Sequence, residues 1–312
     1  MVESKHQWKA WLYLSPAIVL LLIFTAWPIF NTVRMSLLEG YTTMKAANPY
    51  VNYTFEFGLG NFIRVLQYPG FLTCLKNTVL LCVLTVPIST VLALLVAVAL
   101  NSIKIFQKGL QTVFFMPYVT NSIAIGMVFA AMFNMIIGGN ARPDSVGIVN
   151  NVLEALGFHY INWTNAGSEY WANIVVMVIY IVWNALPFKI LILLGGLQSI
   201  NKQYYEAARV DGTSRFRVLT RITVPLLSPM LAYVVITGFI GGFKEYSSIV
   251  GIFGESMGPT GNANALDTMV GFIYRAIGTQ EGTASAAALI LFGIIFVVTM
   301  INLAVSKKNT HY

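Results

Sequence analysis

The stretch Tyr204-Tyr205-Glu206-Ala207-Ala208-Arg209-Val210-Asp211-Gly212, continuing through Ile222-Thr223-Val224-Pro225 to Pro229, is a polar, basic island between two apolar segments that are each long enough to cross a bilayer. Asn201 to Val210 is rich in good helix formers, and Asp211-Gly212 is a stop-and-turn signal because glycine tolerates a left-handed backbone. Ser214 stands where it can cap a second helix through Arg215-Phe216-Arg217-Val218-Leu219, which Pro225 and Pro229 are expected to end before the next span. The predicted shape is helix, turn, helix. Ala207 and Ala208 should keep one patch of the first helix thin enough for a partner surface to approach. Glu206 beside them offers a negative charge to a partner Arg or Lys.

The rest of the composition agrees with a membrane setting. The chain has 312 residues, 57% hydrophobic and 10% charged, with mean hydropathy +0.71, whereas soluble domains carry about a quarter charged residues. A net charge of +7 could indicate a nucleic-acid partner, but the basic residues sit in short turns between apolar runs. The positive-inside rule accounts for them, and no nucleic acid is expected. Cys74 and Cys82 lack metal-ligand spacing and read as lipid-facing or packing residues. His6, His159 and His311 are scattered, so neither a metal site nor a catalytic constellation is expected.

The apolar runs predict an all-α integral membrane protein, a single domain over 1–312 with six spans at 11–36, 77–100, 112–137, 171–197, 230–250 and 284–305. The first run is too long for a secretion signal and has no small-residue cleavage site. Loops 37–75, 138–170 and 251–283 then lie outside, with Trp163, Tyr170 and Trp171 as an aromatic belt. The fourth span is broken by Pro187, and Gly238, Gly241 and Gly242 in the fifth suit close helix contact or unwinding. Six spans put both termini on one side. With the termini inside, eleven of the 19 basic residues (Lys5, Lys9, Lys104, Lys108, Lys202, Arg209, Arg215, Arg217, Arg221, Lys307 and Lys308) lie inside, joined by only Glu3, Glu206 and Asp211 of the 12 acidic ones. That asymmetry places segment 198–229 in the cytoplasm.

The pattern Glu206-Ala207-Ala208, three residues, Gly212, nine residues, then Ile222-Thr223-Val224-Pro225 resembles the EAA loop of bacterial binding-protein-dependent ABC importer permeases. Gly196-Leu197-Gln198-Ser199-Ile200, Arg209-Val210-Asp211-Gly212 and Pro225-Leu226-Leu227-Ser228-Pro229 bring it close to the carbohydrate branch, which contains the maltose and glycerol-3-phosphate permeases. Asn201 and Val224 depart from that branch, where Pro and Leu are usual. Gly58-Leu59-Gly60-Asn61-Phe62, Leu75-Lys76-Asn77-Thr78 and Gly147-Ile148-Val149-Asn150 are also similar to it.

The resemblance implies a type I ABC importer permease (MetI-like) fold with N-in/C-in topology, located in the bacterial cytoplasmic membrane. It further implies a second homologous permease, an ATPase dimer, an extracytoplasmic solute-binding protein or lipoprotein, and a sugar substrate. Glu206, Ala207, Ala208, Asp211, Gly212, Ile222 and Pro225 would form the element that docks on the ATPase. No Gly-rich segment ending in Gly-Lys-Ser or Gly-Lys-Thr occurs, so no cofactor is expected on this chain; ATP and magnesium would sit on the partner ATPase.

Polar and aromatic residues on otherwise apolar spans are costly unless satisfied or functional. Tyr180, Asn184 and Phe188, four apart on the fourth span, and Tyr233 and Thr237 on the fifth are the candidate solute-path residues, with interhelix packing as the alternative role. Lys189 is read as a lysine that snorkels to the interface, the alternative being contact with an anionic substrate. Lys244 and Glu245 read as a local pair or gate. A secondary transporter would require mid-span carboxylates, and a membrane enzyme would require His or Asp/Glu clusters; the spans show neither.

Overall fold

The computed structural model describes residues 7–48, 50–51, 53–103, 107–137 and 143–309. Lys5, Lys104, His6 and His311 from the sequence reading lie outside them. In chain order the elements are α1 (Gln7–Leu21), a π turn (Leu22–Ala26), α2 (Trp27–Leu37), α3 (Thr43–Ala46), α4 (Gly60–Gln67), α5 (Phe71–Ser102), α6 (Gln107–Val119) and α7 (Ser122–Met132). A short hairpin of β1 (Met135–Ile137) and β2 (Pro143–Val146) follows, then α8 (Ile148–Ala155), α9 (Tyr170–Ser199), α10 (Lys202–Val210) and α11 (Arg215–Val218). A second π turn (Leu219–Thr223) leads into α12 (Val224–Leu226), α13 (Ser228–Gly242), α14 (Ser247–Phe253), α15 (Met269–Ala276) and α16 (Glu281–Asn309).

The fold is helical as expected, with one local departure: Met135 pairs antiparallel with Val146 in a short hairpin where the third span was expected to continue to residue 137. Four helical segments are individually long and apolar enough to cross a membrane: Trp8–Leu37, Phe71–Ser102, Tyr170–Ser199 and Glu281–Lys307. Two more qualify only as bent pairs, Gly109–Val119 with Ser122–Met132 at 98° and Arg215–Leu226 with Ser228–Gly242 at 72°. The first break has a local cause. Pro117 weakens the end of α6, and the Asn121 side chain accepts from the backbone of Ile123 at 2.9 Å and Ala124 at 3.2 Å, starting a new helix in a new direction.

The contacts divide the chain into two compact units, where the sequence reading had one domain: residues 1–71 with 272–292, and residues 72–271 with 293–312. In the first unit Val65 packs with Ala286 and Ala287, and the buried Asn61 amide donates to the carbonyls of Ser36 at 3.0 Å and Leu38 at 2.8 Å. Asn61 therefore meets carbonyls at the end of α2 that have no helical partner.

In the second unit one apolar core joins Leu81, Val176, Met177, Tyr180, Ile249 and Ile252, and another joins Ala93, Ala97, Ile190, Leu193, Leu194 and Val234. Helices α7 and α14 cross at two glycines: a Cβ on Gly126 would lie 2.6 Å from the Cα of Gly251. Only two residues without side chains allow that approach. Asn77 and Thr78 on α5 hold the segment before α15, with Asn77 donating to the carbonyls of Ala265 and Asp267 at 2.9 Å and Thr78 accepting from the Met269 amide at 3.0 Å. Cys74 and Cys82 are buried packing residues.

Trp163 departs from the expected aromatic belt. It is buried edge-on against Phe133, 5.6 Å between ring centres, and donates to Asn150 at 3.2 Å. A tryptophan whose N–H has a fixed partner can sit in a core rather than at an interface. The fifth span also stops early, at Gly242 rather than residue 250, and the chain turns before α14.

Candidate functional site

Two places in the second unit gather the residues singled out by sequence. The first is the loop between α9 and α13. Asn201 caps α10 by accepting from the Gln203 amide at 3.0 Å. The helix closes with the Asp211 amide on the Ala207 carbonyl at 3.0 Å and the Thr213 amide on the Ala208 carbonyl at 2.9 Å, while Gly212 adopts φ +63°. A side chain at that φ would be strained, so the glycine is what reverses the chain.

Exposure divides the Ala207/Ala208 pair that was expected to form one thin outward patch. Glu206 and Ala207 are exposed, but Ala208 is buried, because neighbours on a helix point about 100° apart. Ser214 occupies the cap position of α11 without making a side-chain bond. The helical run continues through Pro225 to Leu226 and then breaks by 72° before Ser228, between Pro225 and Pro229; the preceding π turn supplies a Val224 amide to Leu219 carbonyl bond just before the proline that lacks an N–H. Ile222 and Pro225 are half-buried, and Asp211 is exposed. The loop also presents Tyr204, Val210 and Phe216 at 54%, 88% and 75% exposure. The sequence reading did not single these out, though large apolar residues on a polar island were visible there.

The second place is a cavity of about 430 Å³ walled by α5, the α6–α7 break, α9 and α13. Asn184 and Phe188 of α9 and Thr237 of α13 line it. Tyr180 does not: it is fully buried, with its hydroxyl on Ser122 and its ring edge-on to Phe129 at 4.8 Å. Two steps of four residues rotate about 80° around a helix, which carries Tyr180 off the face that Phe188 occupies. Tyr233 likewise lies beside the wall rather than on it, half-exposed and 6.4 Å from Phe188 between ring centres. Tyr118 supplies the aromatic surface in its place, stacked on Phe188 at 6.0 Å.

Hydroxyls that the sequence reading passed over complete the wall: Thr85 and Ser89 on α5, and Thr120 and Ser122 at the helix break. The signal was available in Thr85, Ser89 and Thr90, which flank Pro87 in an otherwise apolar span.

Lys189 does not snorkel. It is 3% exposed and donates to the Val86 carbonyl at 3.1 Å, the Ser89 hydroxyl at 2.7 Å and the Thr90 hydroxyl at 2.9 Å. The Ser89 and Thr90 hydroxyls, turned back onto the Thr85 and Val86 carbonyls of α5, give an inward-pointing lysine nearby acceptors. Glu245 does not pair with Lys244. Its carboxylate accepts from the Ser248 amide at 3.2 Å at the start of α14, and Lys244 is exposed. Gly238 and Gly242 make the close contacts expected of them, since a Cβ would meet Lys189 at 3.2 Å and Cys82 at 2.8 Å respectively. Gly241 faces open space beside the cavity.

Residues 86–311 match the family described as binding-protein-dependent transport system inner membrane component. The chain belongs to this family. It is 30% identical over 297 residues to the lactose transport system permease LacF of Rhizobium radiobacter, covering 94% of this chain and 91% of that protein. The arabinooligosaccharide permease AraP of Halalkalibacterium halodurans is 30% identical over 93% of this chain and 85% of its own length. The trehalose/maltose permease MalF of Thermococcus litoralis is 29% identical over 95% and 93%. Among solved structures, a chain of a bacterial ABC transporter that imports the acidic polysaccharide alginate superposes with TM-score 0.77 over 98% of both chains at 22% identity, which shows that the permease fold is shared.

Within this permease the two places are linked covalently. The exposed loop joins α9 to α13, the helices that carry Asn184, Phe188 and Thr237.

Proposed function

We propose that this chain is one of two homologous permease subunits of an ATP-driven sugar importer in the bacterial cytoplasmic membrane. It spans six times with both termini inside and takes an oligosaccharide or related solute from an extracytoplasmic binding protein. The direct continuity between loop and cavity carries the reading. A partner that grips Glu206, Ala207 and the exposed Phe216 and displaces them pulls on α9 and α13 together, and so on two helices that wall one cavity. The relatives' transport of lactose, arabinooligosaccharides and trehalose or maltose supports a sugar as solute.

In this reading the loop docks on a separate ATPase dimer, which holds ATP and magnesium. Glu206 pairs with a basic ATPase residue, Ala207 permits close approach, Asp211 and Gly212 set the bend, and Ile222 and Pro225 fix the second helix to the span. Closure of the ATPases rocks the walls between outward-open and inward-open states. Stacked Tyr118 and Phe188 offer a flat apolar face to the C–H surface of a sugar. Asn184, Thr237, Thr120 and Ser122 offer hydrogen bonds to its hydroxyls.

The test is ATP hydrolysis by the complex reconstituted with its genomic neighbours, with and without the binding protein and a panel of sugars. Stimulation by one loaded binding protein, lost in Glu206→Lys, is the expected result. Failure to assemble with any ATPase sinks the reading.

A further inference from the structure

Lys189 exceeds what packing requires of it. It lies in the interior of an apolar span and on the cavity wall, and its three N–H donors are taken up by a carbonyl and two hydroxyls. Those acceptors do not depend on it. Ser89 already donates to the Thr85 carbonyl, and Thr90 to the Val86 carbonyl at 2.7 Å. Neutral acceptors satisfy hydrogen bonds but leave the charge uncancelled, and among the described residues no carboxylate pairs with Lys189. The carboxylate on the wall, Glu245, accepts from the Ser248 amide at the start of α14 and is not among the groups bonded to Lys189. An uncancelled buried cation is costly, and inside a membrane it marks a path or a ligand. Gly238 leaves the α13 side of the ammonium without a side chain.

We propose that the counter-charge of Lys189 arrives with the solute, as a carboxylate or phosphate borne on the saccharide. The inference deepens the importer reading and rests on it. The positive potential extends past the groups that touch Nζ, so the anion need not displace Ser89 or Thr90. Asn184, Thr120 and Ser122 hold the sugar hydroxyls while the acidic group lies toward α5. The same field disfavours amino sugars.

The experiment uses the full permease–ATPase complex in lipid nanodiscs, measuring direct binding without the binding protein, so that its selectivity does not enter, and ATP hydrolysis with it. The probes are a neutral trisaccharide, a uronic-acid trisaccharide of the same length and a sugar phosphate. At least one acidic probe is expected to bind about tenfold tighter than the neutral one, and the better of the two identifies the oxyanion. Lys189→Gln should lower the acidic affinity to the neutral level, and Lys189→Arg should keep the preference. Equal binding of acidic and neutral probes by the wild-type complex overturns the inference, as does Lys189→Gln weakening both alike. Stimulation by neutral sugars only removes this inference and leaves the importer standing; stimulation by no saccharide removes both.

Discussion

The loop between α9 and α13 is held by near neighbours in sequence, with Asn201 capping Gln203 and Thr213 reaching back to Ala208. The cavity is assembled across the chain, with Lys189 bonded to Val86 at a separation of 103 residues and Tyr180 to Ser122 at 58. Local bonds make the loop a shape that survives being moved. Long-range bonds make the cavity a set of walls that can part. A coupled transporter needs both, a stiff handle and a divisible chamber.

The sharpest way to break this comparison is to destroy the handle and leave the chamber intact. Gly212 has φ +63° and donates its amide to Arg209 at 3.2 Å, whereas proline demands φ near −65° and has no N–H. Gly212→Pro should abolish sugar uptake and binding-protein-stimulated ATP hydrolysis while the protein still inserts and still binds solute directly. Uptake near the wild-type rate in proteoliposomes would sink the coupling role. Gly212→Ala should be far milder, with about 1 kcal/mol of local strain and reduced rather than absent uptake.

The opposite experiment strikes the chamber's scaffold. A side chain at Gly126 meets backbone, not a flexible side chain, so α7 and α14 must separate. Gly126→Val should cost about 1–3 kcal/mol of stability, read as a lower unfolding temperature in detergent. Gly241→Ala, which faces open space, should leave that temperature unchanged. Equal shifts for the two would mean that the glycine crossing is not a structural constraint.

The difference between the two regions also explains what could be read from sequence. The turn at Asp211-Gly212 and the helix before it were legible because the causes lie within a few residues. The break in the third span was written in Pro117 and Asn121, but an apolar run that averages like one helix hid a 98° bend. Asn184, Phe188 and Thr237 could be picked as polar or aromatic residues on apolar spans. Tyr180 could be picked in the same way, yet it faces the core, because a four-residue step drifts around the helix and nothing local records where the neighbouring helices sit. Trp163 and Lys189 failed for a related reason. Their environments depend on Asn150 and on Ser89 and Thr90, partners that composition rules for an isolated side chain do not supply.

A smaller effect separates wall from core on a single helix. Asn184 lines the cavity, whereas Tyr180 one turn earlier anchors the α6–α7 break. Asn184→Ala should raise the apparent KM for the solute about tenfold, the worth of a lost hydrogen bond to a bound polar group, with unfolding temperature and basal ATP hydrolysis unchanged. Tyr180→Phe should do the reverse, lowering stability by about 1 kcal/mol with KM unaltered. If both variants moved KM alike, the distinction between wall and core along α9 would be lost.

The finest test lies inside the handle itself, where the sequence marks Ser214 as a cap and Asn201 only as the start of a helix-forming stretch. The Asn201 side chain accepts from the Gln203 amide, and Ser214 makes no such bond although its backbone is extended as a cap should be. The capping energy comes from satisfying an amide that the first helical turn leaves free, so it exists only where the bond does. Asn201→Ala should therefore lose about 1 kcal/mol, and Ser214→Ala should stay within about 0.5 kcal/mol of wild type. Thermal unfolding of the two variants side by side in the assembled complex checks this. A large loss at Ser214 would mean that its hydroxyl bonds across an interface in the complex, placing α11 as well as α10 in direct contact with the ATPase.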